Sequence, residues 1–310
     1  MIDVSIIIPV YFNEGSLNQT INNIYKSVVK VKNDKVFEII FIDDGSADNS
    51  LQEILNIKTE YKALIKVIKF TSNFGQVNAI MAGYRLAKGR CVINISADMQ
   101  DPPELMVEMI DVFFNEKIPI VICVREARDE NLFRKKTSNF FYYLMQKMNF
   151  SNMPIGGFDY ALLSKEVVDI ICDSNESNPF WQGQILNTGY PIKFIPYVRR
   201  KREIGTSKWT FSKKIKYLID GVLGYSYLPL RLMTIMGIFI FIAGLLYASF
   251  IFISYFFGNS PFTGWTPIMI LLLLFSGLQM LFLGIIGEYL WRILDQVRNR
   301  KPYIIEKTYE

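Results

Sequence analysis

The sequence contains no histidine and little cysteine. Not one of its 310 residues is histidine, which excludes a Ser-His-Asp catalytic triad and a histidine-bound zinc site. The three cysteines, Cys91, Cys123 and Cys172, are odd in number and far apart. This argues against a disulfide framework and fits a reducing cytosol. No GxGxxG motif follows the first apolar segment, so a dinucleotide-binding oxidoreductase lacks its main signature.

Charge is missing from one long stretch near the C-terminus. Residues 232–287 contain no Asp, Glu, Lys or Arg, which is long enough for two membrane crossings of about 20 residues each. We predict spans at Leu232–Phe257 and Thr266–Gly287, joined by a short uncharged turn. Basic residues flank the pair on both outer sides: Lys213, Lys214, Lys216, Arg231, Arg292, Arg298, Arg300 and Lys301. By the positive-inside rule, both termini are expected in the cytoplasm.

The first two hundred residues alternate strand-like and helical segments, which predicts an α/β fold with a mostly parallel sheet. The predicted strands are Val4–Pro9, Phe37–Ile42, Ile65–Phe70, Val92–Ile95, Ile120–Val124 and Ile192–Pro196. The predicted helices are Ser16–Val29, Ser50–Lys62, Gly75–Ala87, Pro103–Asn115, Phe133–Lys147 and Lys165–Cys172. Residues 206–230 combine apolar residues at helical spacing with lysines on the other side. They predict a helix that lies in the lipid headgroup plane or packs on the soluble domain.

An acidic cluster follows the fourth predicted strand, in the segment VINISADMQDPPEL. Asp98, Gln100 and Asp101 come directly after an apolar strand, where carboxylates mark the rim of a sheet. Ligands of open α/β sheets bind at the carboxyl ends of the strands. Hard oxygen donors gathered there suit Mg²⁺ or Mn²⁺ together with a phosphate-bearing substrate. Taken alone, the same residues also fit a simple acidic turn before a helix.

Three other strand ends carry polar residues or glycine. They are Pro9, Tyr11 and Glu14 at the end of the first strand, Asp43 and Asp44 after the second, and Gly75 and Gln76 after the third. Glu14 either touches a ligand or caps the helix that follows. Asp43 and Asp44 are suited to hydrogen-bonding ribose hydroxyls or a base edge. A structural Asx turn accounts for one of these two aspartates but not both.

Taken in order, PVYFNE, IDDGS, SNFGQ and SADMQDPPE resemble the GT-A catalytic domain of glycosyltransferase family 2. The closest resemblance is to its polyprenyl-phosphate branch, which includes dolichyl-phosphate mannose synthases and bacterial undecaprenyl-phosphate glucosyl- and aminoarabinosyl-transferases. The resemblance assigns the nucleotide sugar to Pro9, Tyr11, Glu14, Asp43, Asp44, Gly75, Gln76, Asp98 and Gln100. It also implies that Asp98 and Gln100 hold Mg²⁺ or Mn²⁺. Many relatives have Asp where Ser96 stands, which leaves the metal fewer carboxylates.

Two basic groups follow the fifth and the last predicted strands. Arginine binds phosphate through two parallel hydrogen bonds, although solvated or headgroup-binding charges account for part of each group. The resemblance assigns the lipid phosphate to Arg125, Arg134, Ser138 and Arg202. It also matches Asp159, in the segment FDYA, to an acceptor-side aspartate that orients the acceptor, acts as a base or caps a turn. Ala161 stands where relatives often carry Arg.

The resemblance implies a membrane-bound, metal-dependent and inverting enzyme of the bacterial inner membrane. It would transfer one sugar, from UDP-glucose or a related UDP-sugar, to polyprenyl (undecaprenyl) phosphate. We expect a GT-A-like cytoplasmic catalytic domain at residues 1–205, an interfacial segment at 206–230, the two spans within 231–290 and a cytoplasmic tail at 291–310. Contacts with membrane lipid are expected, and a nucleic-acid partner is not.

Two alternatives stay open from the sequence. One is a membrane scaffold that binds a sugar nucleotide without turnover. Ser96 and Ala161, which depart from the residues of many relatives, are consistent with this alternative. The other is a processive polysaccharide synthase, although such enzymes usually carry a QxxRW motif and more spans. Glycines in the two spans also leave open a homo-oligomer that packs through them.

Overall fold

The computed structural model of the chain describes residues 1–61, 64–125, 146, 150, 152–154, 157–174, 176, 179–200, 221, 223–224, 226–256, 266–298 and 300–309. The chain forms two compact units. The first consists of Met1–Gly221 together with Lys301–Glu310, and the second of Val222–Arg300.

The first unit is built on an eight-stranded sheet. Its strands are β1 (Val4–Val10), β2 (Phe37–Asp43), β3 (Ile65–Phe70), β4 (Cys91–Asn94), β5 (Ile120–Arg125), β6 (Tyr160–Ser164), β7 (Ile192–Tyr197) and β8 (Ile305–Tyr309). They are ordered β7-β5-β6-β4-β1-β2-β3-β8 across the sheet. β6 and β8 run antiparallel to their neighbours, and the other pairings are parallel. The expected mostly parallel α/β sheet is thus confirmed.

Helices flank this sheet. They are α1 (Leu17–Ile24), α2 (Ser50–Glu60), α3 (Gln76–Leu86), α4 (Leu105–Asp111), α5 (Lys165–Asp173) and α6 (Trp181–Asn187), with π-helical turns extending α1 to Val29 and α4 to Glu116. Each of the six predicted strands is present. The predicted helix Phe133–Lys147 lies almost wholly outside the described residues. β6, α6 and β8 were not predicted from the sequence.

The strands form a buried sheet because both of their faces are covered. In β1, Ile6 and Ile8 belong to the same buried cluster as Leu17 of α1. The alternate residue Ile7 faces α3, where a Cβ added at Gly83 would lie 2.5 Å from Ile7 Cγ2. Successive side chains of a strand point to opposite faces, so near-continuous apolar strands such as these need helices on both sides.

The parallel arrangement brings the polar strand ends to one edge of the sheet. β1, β2, β4, β5 and β7 all end there, because they run in the same direction. β6 runs the other way, so the residue that precedes it, Asp159, lies at that same edge. Asp159, which precedes its strand, therefore lies beside residues that follow theirs. The order of motifs in the sequence does not reveal this.

The C-terminal strand completes the sheet at its other side. β8 pairs with β3 in an antiparallel register that places Tyr309 beside Val67. Tyr303 stacks on Phe70 with ring centroids 5.0 Å apart, and Lys69 lies 2.7 Å from Glu306. Residues 291–310 were predicted to form a separate cytoplasmic tail. In the structure the last part of that segment is the edge strand of the first unit.

The second unit contains two long helices, α7 (Leu228–Phe256) and α8 (Thr266–Arg298). Both are long and apolar enough to cross a membrane. α8 continues past the predicted end of the second span at Gly287, as far as Arg298. At Gly237, Gly244, Gly277, Gly284 and Gly287, an added Cβ would meet no described atom within 4 Å. The described hairpin therefore makes no close contact through these glycines, and packing through them between copies stays a prediction.

Candidate active site

The loop after β4 carries the acidic cluster. Ser96 Oγ lies 2.7 Å from Asp98 Oδ1 and 2.7 Å from Asp101 Oδ2, so one hydroxyl bridges the two carboxyl groups. Between Asp98 and Gln100, Met99 adopts a left-handed backbone with φ of +61°. Non-glycine residues rarely adopt this conformation, and they do so mainly where function or a tight turn requires it. The Gln100 N–H donates to Asp98 Oδ1 across this turn at 3.3 Å.

Asp101 is the buried member of the cluster, with 1% of its surface exposed. It accepts a hydrogen bond of 2.7 Å from the Tyr197 hydroxyl and lies 3.3 Å from Arg199 Nε. Burial raises the pKa of the Asp101 carboxyl and the Asp159 carboxylate adds to the shift, while Arg199, Tyr197 and Ser96 oppose it. Asp101 therefore joins three chain segments and has a structural role.

The two aspartates that end β2 have different surroundings. The Asp44 carboxylate accepts hydrogen bonds from the backbone N–H groups of Phe74 and Gly75 and from the Asn73 side chain, at 2.7–3.0 Å. Asp43 Oδ1 accepts a 3.2 Å bond from the Ser46 backbone N–H, whereas its buried Oδ2 has no hydrogen-bond partner among the described residues. Burial raises the pKa of the Asp43 carboxyl. Asp44 thus holds the loop after β3 in place, whereas of these two aspartates Asp43 has the buried oxygen that lacks a donor among the described residues.

Glycines make this arrangement of loops possible. A Cβ added at Gly45, whose φ is +70°, would lie 2.5 Å from the carbonyl carbon of Ser72. Gly75 has a φ of +95° and immediately precedes α3, whose first residue is the half-buried Gln76. Both positions require glycine because a side chain would clash or strain the backbone.

The residues after β1 contribute less directly. Pro9 lies in β1, and Tyr11 follows it with its N–H bonded to Asn13. Glu14 accepts two hydrogen bonds from Asn49, at 2.8 Å from the side chain and 3.2 Å from the backbone. Asn49 is the residue that precedes α2. The Glu14 carboxylate therefore bonds at the start of α2, so the predicted capping of the helix that follows Glu14 is wrong. Contact of Glu14 with a ligand stays a prediction.

A second charged group forms at the same edge from Arg125, Asp159 and Arg199. Arg125, the last residue of β5, donates to both carboxylate oxygens of Asp159. Arg199 Nη2 lies 3.9 Å from Asp159 Oδ2. Burial lowers the pKa of the Arg125 guanidinium, but Asp159, Tyr197 and Asp101 together more than offset this and the net shift is upward. Two guanidinium groups around one carboxylate form a place where an incoming anion finds two cations.

Buried polar side chains donate hydrogen bonds to the backbone around Asp159. Asn94 donates to the Asp159 carbonyl at 2.6 Å, and Gln182 donates to the carbonyl of Phe158. Asn94 also accepts from the Tyr84 hydroxyl at 3.1 Å. Gln182 lies in the segment FWQGQI, which resembles the QxxRW motif only weakly. The structure gives this segment the role of supporting the loop that carries Asp159.

Arg134, Ser138 and Arg202, the other residues predicted to bind the lipid phosphate, lie outside the described residues. Arg199 was not predicted to be part of the site. The sequence signal was the basic group after the last predicted strand, but only the structure shows that Tyr197 of β7 pairs with Arg125 of β5. An arginine two residues beyond the end of β7 therefore lies near the end of β5.

A divalent metal was predicted at Asp98 and Gln100. In the described part of the chain, no three Asp, Glu or Cys side chains are grouped as a ready-made metal site. Asp98, Ser96 and Gln100 supply one carboxylate, one hydroxyl and one amide oxygen, all of which are hard donors. Mg²⁺ is usually held by one or two carboxylates together with substrate phosphates. The donor set therefore fits a divalent ion that binds together with a diphosphate, rather than a preformed metal centre.

Comparison with known proteins decides the family. The family model described as Glycosyl transferase family 2 matches residues 5–171, which include the loops after β1, β2, β3 and β4 and Asp159. The chain belongs to glycosyltransferase family 2. The resemblance inferred from the motifs is thereby confirmed, and this family 2 protein is a glycosyltransferase.

Relatives of this family 2 glycosyltransferase match along its whole length. The chain is 36% identical to the uncharacterized glycosyltransferase YkcC of Bacillus subtilis, covering 99% of this chain and 94% of the relative. It is 32% identical to the prophage-derived bactoprenol glucosyl transferase of Shigella flexneri, covering 99% and 98%. Among solved structures, a mannosyltransferase from Pyrobaculum calidifontis matches at 19% identity and a TM-score of 0.48, over 70% of this chain and 62% of that one.

Proposed function

We propose that this glycosyltransferase moves one sugar from a nucleotide sugar to the phosphate of a polyprenyl phosphate. The observation that carries the proposal is the pairing of two polar groups at one edge of the sheet. The loop of Asp98 and Gln100 offers hard donors suited to a metal-bound diphosphate. Arg125 and Arg199 offer guanidinium groups suited to a phosphate monoester. Relatives named bactoprenol glucosyl transferase support sugar transfer to a polyprenyl acceptor.

The acceptor needs little activation in this reaction. A phosphate monoester is largely ionised at neutral pH, because its second pKa is about 6. Asp159 is engaged by Arg125 and Arg199, and so it acts by positioning these arginines rather than by removing a proton. The two arginines hold the acceptor phosphate close to the donor diphosphate. Bringing these two anions together is the main barrier to their reaction. This agrees with a chain that has no histidine.

The donor carries the leaving group. We assign the nucleoside to Asp43 and the diphosphate to the loop of Asp98 and Gln100. Asp98 and Gln100 would hold a divalent ion there, which would supply positive charge to the leaving diphosphate. Attack by a phosphate oxygen from the opposite face breaks the bond between the anomeric carbon and the diphosphate and inverts the anomeric centre. UDP-glucose or a related UDP-sugar is our preferred donor.

The reaction is tested with the purified full-length protein in detergent. It is incubated with Mg²⁺ or Mn²⁺, undecaprenyl phosphate and, in turn, each of a panel of radiolabelled nucleotide sugars. Label from one donor should pass into the organic phase in a single addition per lipid. Absence of label with every donor would refute the proposed function and favour the binding scaffold. Repeated addition to one lipid would instead favour the processive synthase.

The contrast between the two aspartates of β2 gives a matched pair of variants. Asp43→Asn should lower affinity for the nucleoside diphosphate about 10- to 100-fold, because a charged hydrogen bond of about 1.5–3 kcal/mol is lost, with little change in melting temperature. Asp44→Asn should instead destabilise the fold by about 2 kcal/mol, because three donors lose their charged acceptor. Calorimetric titration with UDP and thermal melting separate the two effects. Equal effects of the two variants on both measurements would contradict the division of roles.

The sheet also constrains membrane topology. β1–β7 precede α7 in the chain, whereas β8 follows α8, yet all eight strands belong to one sheet. A folded sheet lies on one side of a membrane. We therefore propose that α7 and α8 cross the membrane as a hairpin with both outer ends on the same side. The basic residues near those ends make this the cytoplasmic side.

This topology is tested by cysteine labelling in a Cys172→Ser background, since Cys91 and Cys123 are buried. A membrane-impermeant maleimide should label Ser260→Cys, between the helices, in intact spheroplasts. The exposed Asn33→Cys in the first unit should be labelled only after lysis. Labelling of both variants in intact spheroplasts, or of neither, would contradict the proposed hairpin.

A further inference from the structure

Arg199 contacts carboxyl groups from two separate segments of the chain. Its Nε lies 3.3 Å from Asp101 Oδ1, in the loop after β4. Its Nη2 lies 3.9 Å from Asp159 Oδ2, just before β6. The Arg199 side chain is 20% exposed and that of Asp101 only 1%. One planar group thus spans the donor-side loop and the acceptor-side cluster.

Residues on either side of Arg199 are hydrogen-bonded to the donor-side loop. The Arg200 N–H donates to the Gln100 carbonyl at 2.9 Å. The Gln100 side chain donates back to the Arg200 carbonyl at 3.3 Å. On the other side, the Tyr197 hydroxyl donates to Asp101 at 2.7 Å. The Arg199 side chain consequently has little freedom to move away from the loop.

These contacts form a continuous connection between the two halves of the site. Arg125 contacts Asp159, Asp159 contacts Arg199, and Arg199 contacts Asp101. From Asp101 the connection continues through the Ser96 hydroxyl to Asp98. An anion that takes the place of Asp159 between the arginines would alter the position of Arg199, and the loop of Asp98 would move with it.

We propose that Arg199 is a positioning residue, which holds the acceptor-side Asp159 and the donor-side loop in the one arrangement where the two substrates can react. This inference rests on the function proposed above. The role requires the guanidinium fork, because a lysine ammonium is a single point of charge and reaches one carboxylate at a time. A displacement of about 1 Å at a reacting centre costs about 100-fold in rate.

A purely structural role for Arg199 makes a different prediction. Asp101 is buried and ionisable, and a nearby cation compensates for the cost of burying its charge. If compensation were the whole role, a lysine at position 199 would serve as well as arginine. Arg199→Lys therefore separates the two possibilities, and Arg199→Gln removes both functions at once.

The experiment uses the full-length protein and the donor that the wild type accepts. Arg199→Lys should keep its melting temperature within about 2 °C of wild type. It should bind UDP, measured by calorimetry with Mn²⁺, within about threefold of wild type. Its kcat for transfer to undecaprenyl phosphate should fall about 30- to 100-fold. The double variant of Arg199→Lys and Asp159→Asn should lose no more kcat than the single variants, because both substitutions break the same connection.

The matched control is Arg90→Lys, at the opposite end of β4. The Arg90 side chain is 57% exposed and lies 3.8 Å from Asp3, so its kcat should equal that of wild type. Wild-type kcat in Arg199→Lys would overturn the positioning role, as would fully additive losses with Asp159→Asn. A wild-type protein that transfers no sugar would refute the proposed function instead, so the two failures are distinguishable.

Discussion

Replacing Asp98 with asparagine should lower sugar transfer to undecaprenyl phosphate about 100- to 1000-fold. Asp98 supplies the one carboxylate that we assign to the metal and the diphosphate, since Asp101 is buried between Tyr197 and Arg199. Asparagine has the same shape and can still accept from the Gln100 N–H, which keeps the turn intact. The loss should therefore appear in kcat and in Mn²⁺-dependent UDP binding, with an unchanged melting temperature.

The control for this variant is Asp111→Asn on the surface of α4. The Asp111 side chain is 45% exposed and pairs with Lys32, and its loss should leave transfer unchanged. More than about one tenth of wild-type activity in Asp98→Asn would mean that the leaving diphosphate is stabilised mainly by other groups. Melting temperatures of both variants show whether any loss comes from unfolding.

Replacing Asp159 with asparagine should lower kcat/KM for the lipid acceptor about 100-fold at every pH from about 6 to 9. Without this carboxylate, Arg125 and Arg199 repel each other and lose the partner that fixes their positions. The shape of the pH profile should stay that of wild type, because Asp159 acts on the arginines and does not take a proton. Initial rates across the pH range, at saturating donor, give the measurement.

A change in the shape of the pH profile would instead show that Asp159 acts as a general base. A general base produces an acid limb in kcat/KM, and this limb disappears when the base is removed. Loss of such a limb in Asp159→Asn would establish Asp159 as the base. Asp169→Asn serves as control, since Asp169 pairs with Lys165 one helical turn away on α5.

The family and the donor half of the site could be predicted from sequence because their signals are local. An apolar run that ends in Asp98, Gln100 and Asp101 indicates a strand and its rim within one short segment. The same holds for Asp43 and Asp44 after β2. The uncharged stretch of residues 232–287 is likewise visible without any folding. In each case, neighbouring residues in the chain carry the whole pattern.

The acceptor half depended on strand pairing between distant segments. Asp159 comes to the rim because β6 runs antiparallel between β4 and β5. Arg199 comes there because β7 pairs with β5. No local pattern states the direction of a strand or its neighbours, since these follow from packing of the whole sheet. The resemblance supplied Asp159 but not its partner Arg199.

The sequence by itself determined the type of fold, the two apolar helices, the absence of histidine chemistry and the motifs of glycosyltransferase family 2. Tertiary structure decided how chemically identical residues divide their roles. Asp44 accepts hydrogen bonds from three donors, while Asp43 keeps a buried oxygen with no donor in the described part of the chain. It also decided that β8 returns to the sheet. The physical reason is that hydrogen bonding and burial depend on which groups come together in the folded chain. Two side chains of the same type differ only in the groups that surround them.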